Sequence, residues 1–183
     1  MGSTVGLLVV AVACGLMVHL FVCYPLVILL LCRRNPAEYL CNCLPALAAA
    51  FGTASSAATL PVTLACATQK NGIPLPVAEL ALTLGATINM DGTTIYLVCA
   101  TYFLGALHGM HFNVGTWLLV PTMAALCSAG SAPVPSASLV LLATMLTAVG
   151  VPLDETFGLI TAVDWMLDRL RTCVNIAGDS CVA

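Results

Sequence analysis

The stretch LDETFGLITAVDWMLDRLRTCVNIAGDSC, residues 153–181, decides the fold, because it is long enough to cross a bilayer yet carries a row of polar side chains. Successive steps of 4, 3, 4 and 4 residues separate these side chains, which is the spacing of one helix face. This polar stripe consists of Asp164, Asp168, Arg171, Asn175 and Asp179. Exposing an ionisable side chain to lipid has a high free-energy cost. We therefore expect the stripe to face a protein interior or a water-filled cavity, as in an ion or substrate pathway.

The composition places the chain in the membrane class. Of its 183 residues, 61% are hydrophobic and 7% are charged, whereas a soluble domain carries about 25% charged residues. Five basic residues form no patch for nucleic acid, and the ten cysteines show no CxxC or metal-ligand spacing. A nucleophile–base set and a cofactor fingerprint are also lacking. We therefore expect an integral, multi-pass protein in the lipid bilayer that is not an enzyme and has no nucleic-acid partner.

Breaker residues divide the chain into five segments. Two pairs of short helices are each joined by small and polar residues, and because no arm is long enough to cross, each pair predicts a re-entrant hairpin. The sequence NMDGT at 89–93 interrupts another long helix. The predicted fold is an all-α membrane protein with a spanning helix at 5–31, a first re-entrant hairpin at 36–70, a broken helix at 76–108, a second re-entrant hairpin at 116–149 and the polar-striped last helix at 153–183.

The order of hairpin and polar-interrupted helix occurs twice. Ser55 precedes Asn89 by 34 residues, and Ser131 precedes Asp164 by 33 residues. Paired interruptions at corresponding positions of two halves indicate the binding site of a secondary transporter. Basic residues flank only the first hairpin, so this hairpin is predicted to open to the cytoplasm and the second to the outside.

The charged pair of the stripe predicts a substrate site. Arg171 is a fixed cation at membrane depth, and its planar fork matches a carboxylate. Asp168 either neutralises this arginine or accepts from a ligand ammonium, and the two roles together describe a site for an acidic amino acid. The alternative is a structural pair within one helix. Asp164 receives no role other than that of a partner for a neighbouring helix.

A second set of polar residues predicts cation binding. Asn89 and Asp91 in the broken helix, with Asn175 and Asp179 in the last helix, offer the oxygen ligands that hard cations such as Na⁺ prefer. The alternative is that Asp-Gly at 91–92 is only a kink, but an unpaired carboxylate inside an apolar span costs several kcal/mol. Backbone N–H groups near Ser55 and Ser56 are candidates for binding an anionic group, or these small residues serve only close helix packing.

Three runs of this sequence carry a family resemblance: GTASSAATLP at 52–61, GATINMDGT at 85–93 and AVDWMLDRLRTCVNIAGD at 162–179. The chain resembles the dicarboxylate/amino acid:cation (sodium) symporters, which include the excitatory amino-acid (glutamate/aspartate) transporters. The resemblance implies a glutamate-transporter-like transport domain, present as a C-terminal fragment without its trimerisation scaffold. It also implies sodium-coupled symport of acidic amino acids by an elevator-type movement, in the plasma membrane, and a homotrimer if the full-length scaffold is present.

The resemblance assigns roles to residues of both tips, the broken helix and the last helix. The implied substrate-binding residues are Ser55, Ser56, Thr93, Val134, Asp168, Arg171, Thr172 and Asn175. The implied ligands of co-transported Na⁺, several through backbone carbonyls, are Gly85, Thr87, Asn89, Asp91, Ser128, Ala129, Ser131, Asn175 and Asp179. No residue is assigned a catalytic role.

Departures from the family pattern bear on mechanism. Pro133 and Ser138 stand where the family tends to have glycine, which would stiffen the second hairpin. Leu97 stands where proton-coupled animal members carry glutamate, so sodium symport without proton coupling is expected. Four alternatives stay open: a symporter of C4-dicarboxylates, a symporter of neutral amino acids, an anion-conducting channel, and a non-transporting fragment.

Overall fold

The computed structural model describes residues 2–183, and the surroundings of side chains from residue 5 onward. Over this range the regular elements are all helices, and no strand is present in these residues. The all-α prediction is therefore confirmed. Two stretches, Val5–Cys32 and Leu75–Leu107, are long and apolar enough to cross a bilayer.

The N-terminal helix is continuous from residue 2 to residue 32 but changes its hydrogen bonding along the way. Its parts are Gly2–Val18, a π-turn at His19–Cys23, Tyr24–Val27, and a second π-turn at Ile28–Cys32. Pro25 has no backbone N–H, so the ordinary α-helical ladder cannot pass through this region unchanged. The helix ends at Arg33, whose φ of 53° lies in the left-handed region.

The first hairpin follows a short helix, Pro36–Asn42. Its two arms are Leu44–Thr53 and Ser56–Ala65, and the second arm continues through a π-turn at Cys66–Lys70. The first tip, residues 54–57, turns because Ala54 takes a left-handed conformation with φ of 49°. Ser55 then caps the second arm, since its hydroxyl oxygen accepts from the amide of Ala58 at 3.2 Å.

The broken helix consists of Leu75–Ile88 and Asp91–Leu107. The break is shorter than the predicted interruption at 89–93, because only Asn89 and Met90 leave helical geometry. The helix resumes at Asp91, where a carboxylate at the first position interacts favourably with the positive end of the helix dipole. Gly92 and Thr93 are therefore helical.

The second hairpin has the arms Val114–Ser128 and Ala137–Val149. Asn113 caps the first arm by accepting from the amide of Thr116 at 2.9 Å. The second tip, residues 129–136, leads into the second arm through Ser136, which has a φ of 61°.

The C-terminal helix, Glu155–Val182, lies at the centre of the fold. It packs against the N-terminal helix, the first hairpin and both halves of the broken helix. Asp154 caps it by accepting from the amide of Thr156 at 2.9 Å. Every residue from 174 to 180 is buried, because small side chains in this part allow close approach on all sides.

Candidate functional site

The polar stripe of the C-terminal helix lies inside the protein, as its spacing predicts. All five members are buried, and the exposed fraction of the Arg171 and Asp179 residues is 1% each. The described part of the chain therefore encloses a row of polar groups in an otherwise apolar helix bundle. The row divides into two regions with different partners.

The first region, the arginine cluster, consists of Arg171, Asp164, Asp168 and Tyr96. The Arg171 Nη2 atom lies 3.0 Å from Asp164 Oδ1 and 2.9 Å from Asp168 Oδ1. The guanidinium carbon lies 3.9 Å from the centre of the Tyr96 ring, which adds a cation–π contact. Asp164, for which the sequence suggests a partner on a neighbouring helix, instead pairs with Arg171 two turns away on its own helix.

The arginine cluster retains unused hydrogen-bonding capacity. The Nε and Nη1 atoms of Arg171 have no hydrogen-bond acceptor among the described residues, and neither oxygen of Asp164 has an aligned donor there. The 3.0 Å contact between Arg171 and Asp164 is thus an ion pair without hydrogen-bond alignment. Buried guanidinium donors that lack acceptors fit a further carboxylate ligand.

A narrow cleft lies between the two tips, the broken helix and the C-terminal helix. It has room for about one water molecule. Six of the eight predicted substrate residues line it, namely Ser56, Thr93, Val134, Asp168, Thr172 and Asn175. Ser55 and Arg171 do not line this cleft. Arg171 pairs with Asp168, which does line the cleft, so a carboxylate that binds the Nη2 atom of Arg171 has to displace that aspartate.

The two tips contact each other directly and close the cleft. The Ser55 hydroxyl donates to the carbonyl of Pro133 at 2.7 Å, and the amide of Ala57 donates to the same carbonyl at 3.3 Å. The amide of Ser136 donates to Asp168 Oδ2 at 2.8 Å, which fastens the second tip to the polar stripe. Asp168 thus bridges the second tip and Arg171.

Arg169 holds the first hairpin against the C-terminal helix. Its Nη1 atom donates to the carbonyls of Phe51 at 2.8 Å and Gly52 at 3.0 Å, next to the first tip. Because the C-terminal end of a helix carries partial negative charge, a cation there is stabilising. Its guanidinium also lies between the rings of Phe51 and Trp165.

The second region, the carboxamide–carboxylate cluster, joins the C-terminal helix to the break. It consists of Asp179, Asn175, Asn89 and Gly85. Asn89 Nδ2 donates to Asp179 Oδ1 at 3.3 Å, and Asn175 Oδ1 accepts from the amide of Gly92 at 2.8 Å. A Cβ atom at Gly85 would lie 2.6 Å from Asp179 Oδ1, so only glycine leaves space for this carboxylate.

Asp91 lies beside this cluster but faces the N-terminal helix. The Tyr24 hydroxyl donates to Asp91 Oδ2 at 2.9 Å, and His19 Nε2 lies 3.5 Å from the same oxygen. In the described part of the chain no lysine or arginine forms an ion pair with Asp91 or Asp179. A cation that binds between the break and the C-terminal helix would supply the missing positive charge.

The remaining predicted sodium ligands are not gathered around Asp179. Thr87 is exposed, and its hydroxyl donates to the carbonyl of Leu84. Ser128 lies at the end of the first arm of the second hairpin, 2.7 Å from the hydroxyl of Thr94, and Ala129 and Ser131 follow it in the second tip. No cluster of three or more His, Cys, Asp or Glu side chains occurs among the described residues, which is compatible with sodium because it also accepts carbonyl, amide and hydroxyl oxygens.

Three residues in or next to these clusters have no role assigned from the sequence: Tyr24, His19 and Tyr96. A lone tyrosine or histidine in an apolar run indicates packing rather than a polar contact, so their partners on distant helices could not be inferred. The interruption of the N-terminal helix by π-turns is the feature that marks Tyr24 and His19, and such turns often occur at functional sites.

Comparisons with known proteins identify the family of this chain. The model of the sodium:dicarboxylate symporter family matches residues 2–183. The chain is 41% identical over 179 residues to excitatory amino acid transporter 1 of Homo sapiens, covering 98% of this chain and 33% of that protein. It is 43% identical over 175 residues to the human excitatory amino acid transporter 2, covering 96% of this chain and 30% of that protein.

A third relative has a similar identity. The excitatory amino acid transporter of Caenorhabditis elegans is 42% identical over 171 residues, which are 93% of this chain and 34% of that protein. The chain thus spans about a third of the length of the curated relatives that it matches.

Proposed function

Because the chain belongs to the sodium:dicarboxylate symporter family, we propose that it binds substrate and sodium in a symporter that carries acidic amino acids across a membrane. The observation that carries this proposal is the buried guanidinium of Arg171, which keeps two donor atoms without acceptors among the described residues. A second carboxylate, on the side chain of an acidic amino acid, matches this need in charge and in geometry. The chain is proposed not to be an enzyme.

In this proposal the substrate binds in the cleft between the tips. Its side-chain carboxylate replaces an aspartate at Arg171, and its ammonium binds the oxygens of Asp168 that this exchange releases. Thr172, Asn175 and Thr93 supply hydroxyl and amide groups, while Ser55, Ser56 and Val134 close the cleft from the two tips. Before binding, Arg171 and Asp168 pair with each other. After binding, Arg171 pairs with the substrate carboxylate and Asp168 with the substrate ammonium, so each charge keeps a partner in both states.

Sodium is proposed to bind at two places. One lies between the break and the C-terminal helix, with Asn89, Asp91, Asn175 and Asp179 and the carbonyl of Gly85. The other lies at the second tip, with carbonyls of Ser128, Ala129 and Ser131, while the carbonyl of Thr87, next to the break, belongs to the first place. Cation binding at the first place neutralises carboxylates that have no basic partner, which favours the folded break and prepares Thr93 and Asn175 for the substrate.

The wider assembly follows from the same resemblance. The hairpins are proposed to be re-entrant, with the second hairpin acting as the outer gate. The binding unit is proposed to move as a body, in an elevator-type movement, within a multi-pass homotrimer in the plasma membrane. Direct contact between Ser55 and Pro133 corresponds in this account to a closed gate.

Uptake into proteoliposomes tests the proposal. With an inward sodium gradient, the reconstituted protein is expected to accumulate radiolabelled L-aspartate and to take up radiolabelled sodium only when aspartate is present. Arg171→Lys keeps the charge but loses the planar fork, so the uptake efficiency for aspartate should fall roughly 100-fold. Arg34→Lys is the matched control, because Arg34 Nη1 donates to the carbonyl of Asn71, away from the cleft. Aspartate uptake without sodium would refute the coupling.

A second substrate class is favoured by the family description, which names dicarboxylates. A C4-dicarboxylate also needs Arg171 but has no ammonium for Asp168. Succinate competition against aspartate separates the two classes. Strong inhibition by succinate, kept in Asp168→Asn while aspartate uptake is lost, would favour a dicarboxylate carrier.

A further inference from the structure

Tyr24 connects three helices at the point where sodium is proposed to bind. It is buried in the N-terminal helix, and its hydroxyl oxygen lies 2.9 Å from Asp91 Oδ2 in the broken helix. The same oxygen lies 3.0 Å from the backbone carbonyl of Val174 in the C-terminal helix. No other tyrosine of the described residues touches a carboxylate by hydrogen bond in this way.

The C-terminal helix leaves space for this hydroxyl at Gly178. A Cβ atom at Gly178 would lie 2.5 Å from the Tyr24 hydroxyl oxygen and 3.0 Å from Asn89 Nδ2. Glycine at this position is therefore required for the tyrosine and the break to approach the helix together. The ring of His19 packs edge-on against Tyr24 at 4.7 Å between ring centres and approaches Asp91 from the other side.

A hydroxyl group has one proton and can donate to only one of its two acceptors at a time. When no cation is bound, donation to Asp91 stabilises the carboxylate, which lacks a lysine or arginine partner among the described residues. When a cation binds to Asp91, the proton can turn to the Val174 carbonyl, and a lone pair of the hydroxyl oxygen then points toward the cation. The buried hydroxyl thus keeps a hydrogen bond in both states.

We infer that Tyr24 belongs to the sodium site: its hydroxyl holds the Asp91 carboxylate in place when the site is empty, and turns its oxygen toward the cation when the site is filled. This inference rests on the proposed function, because it takes Asp91 as a sodium ligand. It adds a residue from the N-terminal helix, and the Val174 carbonyl as its alternative acceptor, to a site otherwise built from the broken helix and the C-terminal helix.

The chain contains a matched control for the test. Tyr39 is also buried, and its hydroxyl likewise donates to a carbonyl of the C-terminal helix, that of Ser180. It contacts no carboxylate by hydrogen bond. Tyr24→Phe and Tyr39→Phe therefore each remove one buried hydroxyl and one hydrogen bond to the same helix, but only the first removes a group that touches Asp91.

The experiment measures binding of radiolabelled sodium to the purified protein, followed by aspartate uptake over a range of sodium concentrations. Tyr24→Phe is expected to weaken sodium binding roughly tenfold and to raise the sodium concentration for half-maximal uptake by the same factor. The KM for aspartate at saturating sodium should stay unchanged. Tyr39→Phe should bind sodium as the unmodified protein does.

Two results would overturn the inference while leaving the proposed function intact: sodium binding by Tyr24→Phe that equals that of the unmodified protein, or equal weakening in both phenylalanine variants. Failure of the unmodified protein to bind sodium would overturn the proposed function itself.

Discussion

The two clusters of the polar stripe differ in where their partners come from. The arginine cluster has its charged partners within the C-terminal helix, since Arg171 lies against both Asp164 and Asp168. The carboxamide–carboxylate cluster relies on other elements, because Asn89 is the hydrogen-bond partner of Asp179 and the amide of Gly92 that of Asn175. In the first cluster each carboxylate already has a cationic partner, whereas in the second no lysine or arginine of the described residues pairs with the buried carboxylate of Asp179.

We propose that this difference lets one helix bind two kinds of ligand. A substrate that carries both signs of charge can exchange partners in the arginine cluster, because its carboxylate takes the place of an aspartate at Arg171 and its ammonium pairs with Asp168. A bare cation changes the net charge of the second cluster and draws the break toward the C-terminal helix. Sodium binding and the geometry of the broken helix are therefore coupled through Asp179 and Asn175.

The largest predicted effect concerns the arginine cluster. Arg171→Met leaves Asp164 and Asp168 buried without their cation, and the free energy of unfolding should fall by about 3–5 kcal/mol. Chemical denaturation in detergent, followed by tryptophan fluorescence, measures this loss. Adding Asp164→Asn to Arg171→Met should recover part of it, because one stranded charge is removed. Equal stability of Arg171→Met and the unmodified protein would contradict a charge-paired cluster.

The carboxamide–carboxylate cluster should respond in the opposite way to loss of charge. Asp179→Asn removes a buried carboxylate that has no basic partner, so the protein without sodium should be at least as stable as before. The sodium stabilisation that comes from this place, about 2.7 kcal/mol at roughly 100 times its Kd, should disappear. Melting temperatures with sodium and with choline as the replacement cation check this. A sodium-induced rise as large as in the unmodified protein would exclude Asp179 as a ligand.

A smaller effect is expected where Gly92 of the broken helix approaches the backbone of the C-terminal helix between the two clusters. A Cβ atom at Gly92 would lie 2.5 Å from the backbone carbonyl oxygen of Arg171, so Gly92→Ala should separate the broken helix from the C-terminal helix and cost about 1–3 kcal/mol. Gly158→Ala is the control, since a Cβ there meets no atom within 4 Å and helical alanine is favoured over glycine. Thermal melts of both variants should therefore move in opposite directions.

The smallest effect lies outside the two clusters, at the loop that precedes the C-terminal helix. His108 Nε2 lies 3.0 Å from Asp154 Oδ2. The pKa of His108 is raised above its ordinary value of 6.5. The main cause is its hydrogen bond to the Leu104 carbonyl, and the next is its hydrogen bond to Asp154. The pKa of Asp154 is lowered below its ordinary value of 3.8. The main cause is its hydrogen bond with His108, and the hydrogen bond from the amide of Thr156 also contributes.

The sign of each shift defines the pH window of this pair. The contribution of His108 is complete below pH 6.5 and is lost as the pH rises through its raised pKa, while that of Asp154 is complete above pH 3.8 and is lost as the pH falls through its lowered pKa. The difference in melting temperature between the unmodified protein and His108→Gln should thus be largest between these values and should shrink toward pH 9. A pH-independent difference would show that the pair is not ionic.

The sequence predicts the features that depend on local periodicity. Helical spacing alone identifies the stripe and its burial. The run NMDGT identifies the region of the break, although its Asp-Gly pair is helical and only Asn89 and Met90 leave the helix. The pairing of Asp164 with Arg171 is missed, although both residues lie on the same helix face. Contacts between distant segments are also missed: the Ser55 hydroxyl meets a carbonyl 78 residues away, and the Tyr24 hydroxyl meets Asp91 67 residues away. Such contacts depend on helix packing, which no local pattern encodes.

Ligand-induced stabilisation of two variants tests the central claim, that the arginine cluster binds substrate and the carboxamide–carboxylate cluster binds sodium. The measurement is the melting temperature of Arg171→Lys and Asp179→Asn with sodium alone and with sodium plus L-aspartate. We predict that sodium stabilises Arg171→Lys but that aspartate adds nothing, and that sodium stabilises Asp179→Asn less than the unmodified protein. Stabilisation of Arg171→Lys by aspartate, or of Asp179→Asn by sodium, to the extent seen in the unmodified protein would contradict the account.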